Sequence, residues 1–508
     1  MTFRSVCLAA ASLSVLAGFA SSALAAPAVT LTPVAGPPTV NVTVTGSGFG
    51  FFRPVDIYFD TVDVCLAISS GTGAVSCVIK VPKDTTPQNH WITALQRGGQ
   101  GAQRIFIVRT DMPQFHGRNA AHSGVNPYEN TLNVSNVADL DTLWQKSIGG
   151  GSFASPVVAG GRVYAAGADG KLYAFIAATG APVAGFPVNA SPAGNIMSGP
   201  AVGNGRVYVG GLDHKLHAYD KNTGAAVAGF PITLPNSIQA PPALALGNVY
   251  VGCNDGKVYG FNATTGVAVS GFPVTTSSQI FASPTIAGGR LYIGSNDHKI
   301  YGFNALNGTP IVGYPLITGG EIYGAVAAAS GMGVAGSADS NIYGFHLASG
   351  FPLSGFPLLT AGPVLSSPAI AGGKVFTGSD DKVYAEFTGG SSAWTATLDS
   401  PIESSPMAAN GVVYINSWSR LYALSAATGA ILWSAAVEAS TLNSPVVDDG
   451  IVYFASEYGN LYAFSLKGLP PASRLPGGAA GLRPNIATLK PDSALKPGQP
   501  ALPPQVEE

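Results

Sequence analysis

Seven histidines are the first residues to ask for chemistry: His90, His116, His122, His214, His217, His298 and His346. An imidazole near neutral pH serves as a general base or a metal ligand. A hydrolytic site needs it beside a nucleophile and an orienting carboxylate. The sequence assembles no such Ser/His/Asp group, so no catalytic residue is predicted. His214 and His298 occupy the same place in a repeated turn and read as surface residues. His116 and His122 stand six apart in Gln114-Phe115-His116-Gly117-Arg118 and Ala121-His122-Ser123-Gly124. They lack an acidic or cysteine partner at ligand spacing, so no metal site is predicted there. Cys65 and Cys77 flank a turn-like Ser69-Ser70-Gly71-Thr72-Gly73 and are expected to form a disulfide across a hairpin, two buried thiols being the alternative. Cys253, left over, reads as a small buried residue. There is no C-x-x-C-H for covalent haem and no adjacent cysteine pair.

The elements that must position these residues are set by composition first. The chain has 508 residues with 46% hydrophobic and only 10% charged, and a net charge of −2. That is well below the roughly 25% charged residues of an average protein. It argues against a nucleic-acid footprint. Residues 1–25 read as an export signal: Arg4, an apolar stretch from Val6 to Ala20, then Ala23-Leu24-Ala25 as an A-x-A cleavage site. No second apolar run approaches a membrane span. Cys7 is not at the end of a lipobox, so no lipid anchor is expected. The expectation is a protein secreted or held in a periplasm.

Residues 26–109 read as short strands between turns. Thr39-Val40-Asn41-Val42-Thr43-Val44-Thr45 and Val55-Asp56-Ile57-Tyr58-Phe59 alternate with period two. Trp91-Ile92-Thr93-Ala94-Leu95 and Ile105-Phe106-Ile107-Val108 close the set. Such spacing predicts a β-sandwich. Residues 110–141 are a polar connector, expected to lie as a strap on the next domain.

From 142 to 467 the chain repeats. Aligned on a Ser-Pro step, Pro recurs at Pro156, Pro200, Pro242, Pro284, Pro368, Pro406 and Pro445, with Gly199 and Pro241 in place of the Ser at the second and third, and with a missing unit starting at Val326. Each unit holds a strand, a Gly turn, a strand such as Arg206-Val207-Tyr208-Val209-Gly210, and an Asp turn such as Asp213-His214. A third strand, a Thr-Gly or Asn-Gly turn and a fourth strand follow. Four antiparallel strands in roughly 40 residues, repeated, is the signature of a β-propeller. The last unit lacks its fourth strand, and an orphan Leu143-Trp144-Gln145-Lys146-Ser147 precedes the first. It matches Ile431-Leu432-Trp433-Ser434-Ala435, so the chain's two ends are expected to complete one blade. The predicted fold is all-β: an eight-bladed β-propeller preceded by a small immunoglobulin-like β-sandwich. Residues 468–508, with nine Pro, read as a disordered tail.

The pattern Ser-Pro-x-x-x-x-Gly-x-Val-Tyr, Asp-Gly-Lys-Leu-Tyr-Ala-Phe, Ala-Thr-Gly-x-x-x-Trp resembles the pyrroloquinoline-quinone-like propeller repeats, best at 154–175 and 427–464. The run Val42 to Phe49, then Val81-Pro82 and His90 to Ala94, resembles bacterial immunoglobulin-like domains of the IPT/TIG kind. The first resemblance implies a fold shared by quinone-dependent dehydrogenases and by non-enzymatic scaffolds such as the lipoprotein of the outer-membrane assembly machine. The dehydrogenases use an adjacent-cysteine disulfide and acidic and amide calcium ligands, which find no match here. Pyrroloquinoline quinone with calcium is therefore not predicted. The fourth-strand Trp survives at Trp144, Trp394 and Trp433; Phe186, Phe230, Phe272, Tyr314 and Phe356 replace it elsewhere and should pack between blades.

A propeller binds at its axis, on the loops entering each first strand. Four positions before each Pro stand Ile196, Ile238, Ile280, Ile322, Val364 and Ile402, expected in the blade core. Three before stand Phe153, Met197, Gln239, Phe281, Tyr323, Leu365, Glu403 and Leu442, expected at the axial mouth, with Glu321 nearby. The favoured function is a binding scaffold for a protein or glycan. The alternatives are a quinone-dependent oxidoreductase and another axial enzyme such as a polysaccharide lyase.

Overall fold

Short β-branched and aromatic runs between Gly and Asp turns leave this chain little choice but strands. The computed structural model describes residues 25–191, 195–437, 443–468, 483–491, 495 and 497. The expected export signal before residue 25, Leu442 and most of the Pro-rich tail lie outside the described residues.

The N-terminal region is two packed sheets. One joins Ala28–Thr32, Asn41–Ser47 and Val75–Lys80. The other runs Ala35–Gly36, Gly101–Val108, Asn89–Gln96, Pro54–Phe59, Val62–Ile68. Alternate residues point inward, and Val42, Val44, Phe49, Ile57, Ile79, Ile92 and Phe106 fill the space between. Cys65 and Cys77 form the disulfide. It does not cross a hydrogen-bonded hairpin, however: Cys65 lies in the five-stranded sheet and Cys77 in the three-stranded one, so the bond staples sheet to sheet.

From Leu140 onward stand eight sheets with at least four strands each among the described residues. One example is Ala201–Gly203, Arg206–Gly210, Lys215–Asp220 and Ile232–Thr233. The first two strands of each sheet meet in a two-residue turn whose residues both take positive φ, as at Asn204 (53°) and Gly205 (76°). That turn twists as the strands do, which explains the Gly at its second position. The short inner strands contact their neighbours around the whole ring, and Val157–Ala159 meets Val446–Asp448 to close it. The closing sheet takes its outer strand, Leu140–Ser147, from the beginning of the repeat region and pairs it with Asn460–Leu466.

Sheet packs on sheet through a recurring pair. Gly210, Gly252, Gly294, Gly336 and Gly378 leave no room for a Cβ, because Ile238, Ile280, Ile322, Val364 and Ile402, in the loops that enter the following sheet, press on them. These aliphatic residues, with Ile196, are buried, as expected from their register. Second-strand tyrosines add a polar tie. The hydroxyls of Tyr164, Tyr208, Tyr250 and Tyr292 donate to Lys221 O (2.8 Å), Ala263 O, Ala305 O (2.7 Å) and Leu347 O (2.7 Å), each in the next sheet. Phe186 fills the same seam, packing with Tyr164, Val207 and Val209.

A methyl at Gly294 would sit 2.1 Å from Ile322 Cγ2. Gly294→Ala is expected to cost about 1–3 kcal/mol by overpacking. Denaturant melting checks it, and beside Ile322→Ala, which removes Cγ2, the added cost of Gly294→Ala should be smaller than in the parent chain.

Candidate axial binding cup

The inner strand of every blade ends its sheet at the axis, so its outward N–H groups need partners. The connector supplies them. Val158 N and Val202 N donate to Met112 O (2.9 Å) and Pro113 O (2.7 Å). Leu244 N donates to Gln114 Oε1 (2.8 Å). Ile286, Ala328, Ile370 and Ala408 donate to Ala120 O, Ala121 O, Ser123 O and Gly124 O at 2.7–2.9 Å. In the last sheet the connector donates instead, from Asn126 Nδ2 to Val447 O (2.9 Å). The expected strap is thus a loop that visits every inner strand in turn and plugs one end of the axis.

His116 and His122 are its pins. Both are buried. His116 Nε2 lies 2.6 Å from Pro406 O, and His122 Nε2 lies 3.0 Å from Pro284 O. Burial pushes His116 down to about 4 and lowers His122 as well. At the strap's start, Thr110 Oγ1 bonds Asp448 (2.9 Å) and Asp449 (3.1 Å). Burial, with the carboxylate of Asp111, raises Asp449 to about 7.

Above the strap opens a cup of about 360 Å³. Phe115, carried by the strap, is its floor. Phe153, Met197, Gln239, Phe281, Tyr323, Leu365 and Glu403 are its half-buried wall. Phe281 and Tyr323 stack at 5.9 Å. Burial raises the Tyr323 hydroxyl pKa, and the Glu321 carboxylate raises it further. Glu321 itself does not line the cup; its carboxylate stands 3.8 Å from His298. Two features escaped sequence reasoning. Phe115 gave no signal beyond its place in the connector. The Ser of the Ser-Pro step serves in the sequence only to align the repeats, yet its hydroxyl links blades beneath the wall. Ser444 N donates to Ser155 Oγ (2.8 Å), Ser405 N to Ser444 Oγ (2.9 Å), Ser367 N to Ser405 Oγ (2.9 Å) and Ala325 N to Ser367 Oγ (2.8 Å).

A ring of four-stranded sheets around a one-ended axial cup defines a PQQ-like β-propeller. The sequence itself matches the family model described as outer membrane protein assembly factor BamB, over residues 177–322 and 320–468. The chain belongs to that family. No curated protein matches it. Among solved structures it is similar to BamB from Moraxella catarrhalis (19% identity, 64% of this chain and 99% of that one, TM-score 0.54). It is also similar to the quinohemoprotein alcohol dehydrogenase from Comamonas testosteroni (17%, 71% and 81%, 0.59) and to the computationally designed protein Ika8 (17%, 64% and 99%, 0.57). At these identities the likeness establishes the fold.

The dehydrogenase likeness poses the question of a quinone with its metal. Calcium asks for about six to eight oxygen ligands. The cup offers one carboxylate, Glu403, among aromatic and aliphatic walls. Among the described residues no group of three or more His, Cys, Asp or Glu could hold a metal ion. The disulfide lies in the N-terminal sheets rather than at the axis. The donor set does not fit that group.

Because His116 has its pKa lowered in the fold, the unfolded chain binds the extra proton. Stability from this pin is complete above about pH 6.5 and falls as pH drops toward 4, by up to about 3 kcal/mol. Denaturant melts of His116→Gln should show a correspondingly flatter stability curve between those pH values than the parent chain.

Proposed function

We propose that the chain is an exported, non-catalytic binding protein whose eight-bladed propeller offers its axial cup to a protein partner. The carrying observation is the cup itself: apolar and aromatic walls, a closed floor and a single acid, Glu403. Such a site suits an apolar side chain on a partner's loop, flanked by a basic residue. Membership in a family described by an assembly factor supports a protein as the partner. The eight sheets, counted with the ring closed at Val157–Ala159 and Val446–Asp448, support eight blades.

On this reading residues 1–25 are the export signal, 26–109 an immunoglobulin-like sandwich, 110–141 the strap, 142–467 the propeller and 468–508 the tail. The Cys65–Cys77 disulfide supports an oxidising compartment such as a periplasm or the exterior. Among the described residues no helix is long and apolar enough to cross a membrane.

A photo-crosslinking residue placed at Phe281 in producing cells should trap one discrete protein. The same residue at Phe351, 71% exposed on a blade turn, should not. Phe281→Asp should weaken that partner at least about tenfold, as for a buried aromatic anchor, with the melting temperature unchanged. Labelling at Phe351 equal to that at Phe281, or alcohol oxidation by protein purified from its own cells, would overturn the reading.

A further inference from the structure

The five-stranded sheet of the N-terminal region has a second face, away from its core. It carries Asp56, Tyr58, Thr93, Leu66 and Leu95. Asp56, Tyr58 and Thr93 are each 0% exposed, as deeply buried as the core residues opposite. Arg97 holds Asp56 through two bonds of 2.8 Å.

The described part of the Pro-rich tail, read from sequence as disordered, lies on this face. The Arg483 guanidinium stacks 5.3 Å from the Trp91 ring centre, and its Nε donates to Gln103 Oε1. Gln103 Nε2 in turn donates to Pro484 O and to Thr93 Oγ1, each at 3.0 Å. One side chain thus clamps both the tail's backbone and its arginine. A single turn, Ile486–Thr488, follows, with Asn485 Oδ1 accepting from Ala487 N (3.1 Å). Ile486 reaches Gly101, where a Cβ would stand 3.5 Å from its Cδ1. Pro497 then pairs in parallel with Leu66 on Val62–Ile68. The contacts of its described residues thus touch Gly101–Val108 at Gly101 and Gln103, Asn89–Gln96 at Trp91, and Val62–Ile68 at Leu66. A groove of about 570 Å³, lined by Val34, Asn89, Trp91, Arg104 and Ile107, continues beside Arg483.

We propose that this sheet face is a peptide-docking site, and that residues 483–491 of this chain, with Pro497, are its resident ligand. The recognition elements are an arginine stacked on Trp91, the residue after it held by Gln103, an apolar residue over Gly101, and strand pairing at Leu66. Cation–π stacking and strand addition are established modes of peptide recognition. The tail ties the chain's end to its beginning and shuts the site to any other segment of like sequence. The site is independent of the axial cup.

The test uses the full chain with a protease site placed within residues 469–482. After cutting, native mass spectrometry should find the released segment still bound. A labelled synthetic peptide of residues 483–497 should exchange into the cut protein and not into the uncut one. The same peptide with Arg483→Ala should bind at least about tenfold more weakly, the loss of a charge-assisted contact. This variant leaves the sheets untouched, so its failure cannot be a failure to fold. Immediate loss of the segment together with no uptake of the peptide would overturn the proposal. So would equal uptake by the uncut chain, or a dimer in which two copies trade tails.

Discussion

Every inner strand of the ring presents N–H groups toward the axis that its own sheet cannot satisfy. An amide left buried and unpaired costs about 1–3 kcal/mol, and the ring repeats that cost at each sheet. The strap removes it at seven sheets, where six of its backbone carbonyls and the Gln114 side chain accept from successive inner strands; at the eighth, Asn126 Nδ2 instead donates to the Val447 carbonyl. This constraint fixes the connector's path. It also forces positive φ on His116 and His122 (50° and 47°), whose rings then reach the Pro406 and Pro284 carbonyls.

The shape of the site follows. With one end of the axis closed by the strap, the other end is a cup rather than a channel, and Phe115 is delivered to its base. The serine hydroxyls of the Ser-Pro steps link neighbouring blades just below the wall residues. Five neighbouring blades are therefore joined by an arc of hydrogen bonds under the wall, and the contacts of Gly with Ile or Val behind it hold the blades at one spacing. Such rigidity suits selective binding of a shape, since little ordering remains to be done when a partner arrives. The proton chemistry of the region belongs to the strap's anchorage, where burial lowers His116 and raises Asp448 and Asp449.

Much of this was legible because repetition makes register readable. The alternation around each Pro separated Ile280, which is buried, from Phe281, which lines the cup. The match of Trp144 to Trp433 predicted that the two ends of the repeat region would share a sheet, as they do. What was not legible depends on contacts between segments far apart in sequence. Cys65 and Cys77 are only 12 apart, which suggested a hairpin, but the strands holding them diverge into different sheets. Glu321 precedes the mouth by two residues, and its backbone turns its carboxylate toward His298 instead. Phe115 belongs to no repeat, so no register could place it. The tail's low complexity hid Arg483, whose partner Trp91 lies nearly four hundred residues earlier.

Both the cup and its proposed binding role depend on the strap's hold on the ring. Hydrogen exchange resolved to single amides tests it directly, since protection reports the partner of each N–H. Val158, Val202, Ile286, Ala328, Ile370 and Ala408 are expected to exchange as slowly as the middle strands of their sheets. Exchange of these six at the rate of exposed turn amides, with the middle strands still protected, would contradict it.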